Sequence, residues 1–222
     1  MRANKLVKYA ELKTFGNVFE FISNGNSEVA DLSVWDALPL AKKNRLTVEL
    51  GCGRGELTVA AAISASEAMH IGIDIKGARL WHGAKAAAEL GLSNAAFIRM
   101  QIEDIAKLFP PLSVDEFWLP FPDPRSKSPG KNAKHRLVAP IFLRRYASIA
   151  KSGALLRLKT DDSALFDYAL DSAASENLQL VRASRDIYAD GILSGDSFAA
   201  QTKYERKYVL AGKAIMYACF QM

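Results

Sequence analysis

Residues 48–55 read Val48-Glu49-Leu50-Gly51-Cys52-Gly53-Arg54-Gly55. Leu46 to Leu50 is a short apolar and β-branched run that stops at Gly51, and Glu56 to Ala65 behind it is an Ala-rich helical stretch. Strand, glycine turn and helix in that order make the opening unit of a doubly wound sheet, whose first turn is where nucleotide-like ligands bind. The alternation continues outward. Met69 to Asp74, Ala96 to Ile102, Val114 to Phe121 and Ala154 to Lys159 read as strands; Gly77 to Leu90, Glu103 to Phe109, Pro140 to Ala150 and Ser163 to Glu176 read as the helices between and after them. Leu178 to Ser184 and Ala214 to Phe220 add an antiparallel pair at the edge. The pattern predicts an α/β fold, a mostly parallel seven-stranded sheet with an antiparallel edge strand and helices on both faces.

The chain has 222 residues, half of them apolar, enough for one substantial core. We expect a single domain over residues 46–222, preceded by an N-terminal appendage over residues 1–45 that is helical near Val29 to Leu38. No apolar run reaches the roughly 18 residues a membrane span needs, and Met1 to Leu12 is charged and lacks a signal-peptide core. A cytoplasmic protein without membrane contact is expected. Cys52 and Cys219 form no disulfide framework, and His70, His82 and His135 have no ligand spacing, so no metal site is expected.

The turn carries its own chemistry. A dinucleotide fingerprint needs its third glycine at position 56, where Glu56 stands, and Glu49 in the strand would be an odd neighbour for phosphates. S-adenosylmethionine, whose sulfonium and ammonium are cationic, suits such a turn. Gly51, Gly53 and Gly55 would let the backbone approach it, and Asp74 at the next strand end can accept from both ribose hydroxyls. The alternatives are a rim carboxylate paired with Arg54 for Glu49, and a helix N-cap for Asp74. Glycine turn and strand-end acid together point to a Rossmann-like class I methyltransferase.

A second segment, Phe121-Pro122-Asp123-Pro124, holds one acid between two prolines at the end of the fourth strand. Proline fixes its own φ and pushes the residue before it toward extended backbone, so Asp123 sits on a stiff elbow. From Pro124 to Thr160 there is no Asp or Glu, while Arg125, Lys127, Lys131, Lys134, Arg136, Arg144, Arg145, Lys151, Arg157 and Lys159 supply ten cations. A chain of net charge +5 is thus a +10 segment in a −5 body, the distribution of a localised polyanion site.

With these motifs in view, the chain resembles the bacterial tRNA (guanine-N7-)-methyltransferases, which modify the guanosine of the variable loop. The resemblance runs from about residue 46 to 217. It rests on the glycine turn, Gly-Ile-Asp at 72–74, Gly-Leu-Ser-Asn at 91–94, Phe-Pro-Asp-Pro with Lys127 behind it, Lys-Thr-Asp at 159–161 and Thr-Lys-Tyr-Glu at 202–205. It implies cofactor contacts at Glu49, Asp74 and Asp123, and guanine or tRNA contacts at Lys127, Asp161, Thr202, Lys203, Tyr204 and Glu205. Two departures stand out. Where the family has an acid near the adenine, this chain has Gln101, with Glu103 two residues on, and either can serve. Where it commonly has Trp after Asp-Pro, this chain has Arg125.

Guanine N7 already offers a lone pair, so methyl transfer needs no general base, only alignment and stabilisation of the cation that forms. Asp123 is the expected catalytic group, accepting from the guanine N1 and N2 edge or from the cofactor. Asp161 would share guanine recognition, hold a Lys or Arg, or cap the helix near Ser163. Arg125, Lys127, Lys131, Lys134 and Arg136 are the expected phosphate contacts. Tyr204 and Glu205 have a plainer alternative, an edge-strand packing residue and its surface partner. The expected partner is tRNA, bound by a monomer or homodimer. The rival functions are a class I methyltransferase acting on another RNA, a protein or a small molecule, and a non-catalytic RNA-binding protein.

Overall fold

The computed structural model describes residues 4–21, 33–39, 44–125 and 133–222, and the chain divides into two compact units, Met1–Pro110 and Pro111–Met222. In the first unit α1 (Lys5–Leu12), β1 (Val18–Glu20) and α2 (Ser33–Ala37) precede β2 (Arg45–Leu50), α3 (Glu56–Ser64), β3 (Ala68–Ile73), α4 (Gly77–Glu89), β4 (Ala95–Arg99) and α5 (Ile105–Leu108). Its strands run in the order β1-β4-β3-β2, every neighbouring pair parallel. β3 is buried along its whole length, which is why it reads as a continuous apolar run rather than an alternating one.

The expected strand set is one short. Val18–Glu20 pairs in parallel with Phe97 to Arg99, so residues ahead of Leu46 contribute a strand of their own. Helix α1 is equally integrated: Asn4 caps it through Val7 N, Leu12 is fully buried, and Trp81 Nε1 on α4 donates to Glu11 Oε2 at 2.7 Å. The contact requires glycine at 77, where a Cβ would lie 2.6 Å from the Tyr9 ring. Of the helix expected near Val29 to Leu38, α2 is the described part.

The second unit comprises β5 (Val114–Pro120), α6 (Pro140–Ala147), β6 (Ala150–Thr160), α7 (Ser163–Ser175), β7 (Gln179–Ser184), α8 (Ile187–Asp190), α9 (Lys203–Leu210) and β8 (Met216–Gln221). The order is β5-β6-β8-β7. β5 and β6 are parallel, and β8 runs antiparallel to both β6 and β7. The antiparallel element expected at the edge is present, with β8 the reversed strand and β7 outermost. Thr202–Glu205 lies in no edge strand: Thr202 caps α9, its Oγ1 accepting from Glu205 N at 3.1 Å.

Candidate functional site

Glycines 51, 53 and 55 all have positive φ, at 73°, 58° and 66°, so the link from β2 to α3 is built from left-handed residues. The three are not equivalent. A Cβ on Gly53 would meet nothing nearer than Gly51 O at 4.0 Å, whereas one on Gly55 would lie 2.4 Å from Phe97 Cε1. Gly53 borders open space; Gly55 is fixed by packing. Gly55→Ala therefore combines left-handed strain with overpacking and should cost about 2–4 kcal/mol, against about 1–2 for Gly53→Ala, where only the backbone objects. Urea unfolding of the two variants measures the gap, and equal losses would contradict the packing role.

Glu49 is only 3% exposed, and Arg54 instead contacts Glu56 at 3.7 Å, which removes the rim-pair alternative. Glu49 Oε2 accepts from Thr58 N at 2.8 Å and from the Thr58 hydroxyl. Gly55 has no side chain with which to cap α3, and the buried carboxylate takes one of the amides left unpaired there. Asp74 Oδ2 accepts from Gly53 N at 2.9 Å and Oδ1 from Lys76 N at 2.7 Å. It shapes the turn, and each carboxylate oxygen has a second lone pair for another donor. Lys76, not Asp74, occupies the N-cap of α4. Burial, followed by the nearby Glu49 and Asp74 carboxylates, pushes the Cys52 thiol well above its ordinary range. The turn is thus negatively biased, a setting that favours a cation over a phosphate. Gln101 and Glu103 both lie exposed beyond the end of β4.

In the second unit Phe121 leaves β5 with φ 53° and donates its N–H to Lys159 O at 2.8 Å. Asp123 follows on an exposed elbow, its side chain 72% accessible. Its Oδ1 accepts from Arg125 N at 2.9 Å, an Asx turn that orients the carboxylate, and Arg125 is again left-handed at φ 53°. Arg125 Nε stands 3.7 Å from Asp123 Oδ2, so the residue replacing the family's Trp lies beside the expected catalytic acid. Arg136 braces the elbow from below. It is buried, its Nε donates to Pro124 O at 2.9 Å, and its guanidinium lies 4.4 Å from the centre of the Tyr168 ring. That engagement makes it a positioning residue rather than the expected phosphate contact. Lys134 is exposed; Lys127 and Lys131 lie outside the described residues.

The uniform basic field also needs revision, because cations at alternate positions of β6 point inward. Arg157 is buried, bonded to Glu116 Oε1 at 2.9 Å, to Asp196 and to the Tyr217 hydroxyl at 2.9 Å. Although burial alone would raise it, the Arg157 hydrogen bond leaves the Asp196 carboxyl below its usual range. Lys159 and Glu205 are both fully buried and lie 2.8 Å apart. The Tyr188 hydroxyl donates to Glu205 Oε1 at 2.8 Å, and burial with that bond holds the phenol above its ordinary range. Glu205 is therefore neither an edge-strand surface partner nor directly exposed.

Asp161 pairs with Lys213 Nζ at 2.7 Å, so it holds a lysine; the N-cap of α7 is Asp162, which accepts from Leu165 N at 2.8 Å. Lys213 in turn lies 4.4 Å from the centre of the Tyr208 ring. Tyr208 links Phe121, at 6.1 Å between ring centres, to the exposed Tyr204, at 5.4 Å. Sequence reasoning missed Tyr208 and Lys213. The helical offset of Tyr208 from Tyr204 is a signal for the tyrosine, while nothing local marks Lys213.

A family model described as a putative methyltransferase matches residues 43–218. The tRNA (guanine-N(7)-)-methyltransferase of Christiangramia forsetii is 39% identical over 224 residues, covering 99% of this chain and 98% of that one. Its counterpart from Bacteroides fragilis is 33% identical and covers 99% and 86%. The solved 16S rRNA methyltransferase KamB superposes with a TM-score of 0.63 at 16% identity, over 88% of this chain and 95% of that one, a likeness of class I methyltransferase fold alone. On these matches the chain belongs to the family of the tRNA (guanine-N(7)-)-methyltransferases.

Proposed function

We propose that this chain transfers a methyl group from S-adenosylmethionine to N7 of a guanine in tRNA, the guanosine of the variable loop. The observation that carries the reading is the Asp123 elbow, an acid held outward by its own turn at the tip of a strand, on a chain whose relatives bear that activity in their names. Glu49, Asp74 and the backbone of Gly51 and Gly53 hold the cofactor, with Gln101 or Glu103 at its adenine. Their fit is electrostatic and steric: a turn biased negative around Cys52, with room above Gly53. When bound, the cofactor supplies an electrophilic methyl on a sulfonium.

The protein's own residues need not remove a proton, because N7 carries none. Asp123 accepts from the guanine N1 and N2 edge and stabilises the charge that develops on the ring as it is alkylated. Arg136 and the two left-handed residues keep that carboxylate from swinging away, which limits reorganisation during the reaction. Asp161 sets Lys213 against Tyr208, and the Tyr204 face offers a base a stacking surface. Lys127, Lys131, Lys134 and Arg125 contact phosphates.

Unmodified tRNA incubated with the protein and methyl-labelled cofactor should gain N7-methylguanosine at a single variable-loop position. RNase added beforehand should abolish incorporation. Label that survives RNase, or that maps to another base or to protein, would overturn the assignment.

A further inference from the structure

A second constellation lies in the first unit, on α1, the glycine turn and α4. His82 Nε2 is 2.8 Å from Lys8 Nζ, and its Nδ1 is 3.1 Å from Arg54 Nη2. Ammonium and guanidinium are donors only, while a neutral imidazole has one N–H and one lone pair. Whichever tautomer is present, one of the two contacts sets donor against donor. The surrounding acids are already engaged: Glu11 accepts from Trp81 Nε1 at 2.7 Å, Glu56 faces Arg54 Nε at 3.7 Å, and Glu89 pairs with Lys85 at 2.8 Å. Trp81 packs edge-on to His82 and under Lys8, adding no acceptor. Within the triad, one imidazole lone pair thus faces two cationic donors, and the three acids around it are engaged elsewhere or with Arg54 Nε.

We propose that Lys8, Arg54 and His82 form a binding site for a backbone phosphate of the RNA substrate. The inference rests on the tRNA reading for the source of that phosphate. A phosphodiester's two non-bridging oxygens are acceptors only, so they satisfy the donors that now confront one another. Below its raised midpoint His82 then takes a proton from solvent and becomes the third cation. In the free protein, partial burial and then Arg54 and Lys8 hold the imidazole down at about 4, with Glu56 opposing them weakly, so it is neutral at pH 7. A bound anion reverses the balance. RNA affinity should accordingly rise as pH falls through the raised midpoint of the bound state, by uptake of up to one proton.

The test is a ring-proton NMR titration of His82 in the full-length protein, its signals identified among three histidines by loss in His82→Gln. Four samples are compared: protein alone, with unmodified tRNA, with inorganic phosphate at tens of millimolar, and with S-adenosylmethionine alone. With tRNA the midpoint should rise by at least about one unit from about 4, and with inorganic phosphate it should move the same way by less. Lys8→Gln with Arg54→Gln should lower the slope of log affinity against log salt by about 1–2. Bound tRNA with an unmoved midpoint would overturn this site alone. A shift with the cofactor alone would also overturn it, assigning the cluster to the cofactor's carboxylate. No tRNA binding under any condition would overturn both the site and the tRNA reading.

Discussion

Asp123→Asn should lower single-turnover methyl transfer at saturating tRNA and cofactor by about 10²-fold, with little change in tRNA affinity. Asparagine keeps the side-chain oxygen that accepts from Arg125 N, so the Asx turn and the elbow survive while the charge and one acceptor are lost. The acid is exposed in the free protein, and its worth appears only as positive charge develops on guanine, so the loss belongs in the chemical step rather than in binding. Asp123→Ala also releases Arg125 N and should be worse in both respects. Unchanged turnover in the asparagine variant would remove Asp123 from the reaction.

Glu205→Ala should be the most destabilising single change in the second unit, about 3–5 kcal/mol by urea unfolding. The side chain is 0% exposed and is paired with Lys159, itself 0% exposed, so its removal leaves a buried ammonium without its counter-ion, facing Ala200 O at 3.4 Å, and takes from the Tyr188 hydroxyl its acceptor. Against a typical total stability of about 5–15 kcal/mol, that is enough to leave a substantial unfolded fraction. Lys159→Met combined with Glu205→Leu should recover most of the loss, because two apolar groups of similar volume leave no charge behind. A Glu205→Ala variant within about 1 kcal/mol of the parent would mean that the pair is solvated in solution.

Parts of this architecture are readable along the chain because their causes are local. The glycine turn, the Pro-Asp-Pro elbow and the alternating strands and helices each follow from neighbouring residues. β1 escapes because a three-residue strand carries too little pattern to register. Helix α9 left a local signal, the Thr202-x-x-Glu205 spacing of a capping box, but the glutamate turns inward to Lys159 instead of back to the cap. The fate of Arg157 and Lys159 is not local at all. Their partners Glu116, Asp196 and Glu205 lie 39 to 46 residues away in sequence, so counting charges along the chain could not reveal that both are internal.

The Phe97 ring reaches further into the sequence than its own strand. It stands 2.4 Å from where a Cβ on Gly55 would lie, 2.7 Å from one on Gly83 and 3.1 Å from one on Gly72. One aromatic side chain thus presses on three glycines on a turn, a helix and a neighbouring strand, and it shares that role with backbone at 83 and with two other side chains at 72. Only Gly55 of the three has positive φ, yet a smaller residue at 97 would free none of them: left-handed backbone holds 55, the Arg54 carbonyl 2.8 Å from a Cβ holds 83, and Thr58 with Cys52 holds 72. Part of the glycine signature therefore records the shape of the core and not the ligand above it.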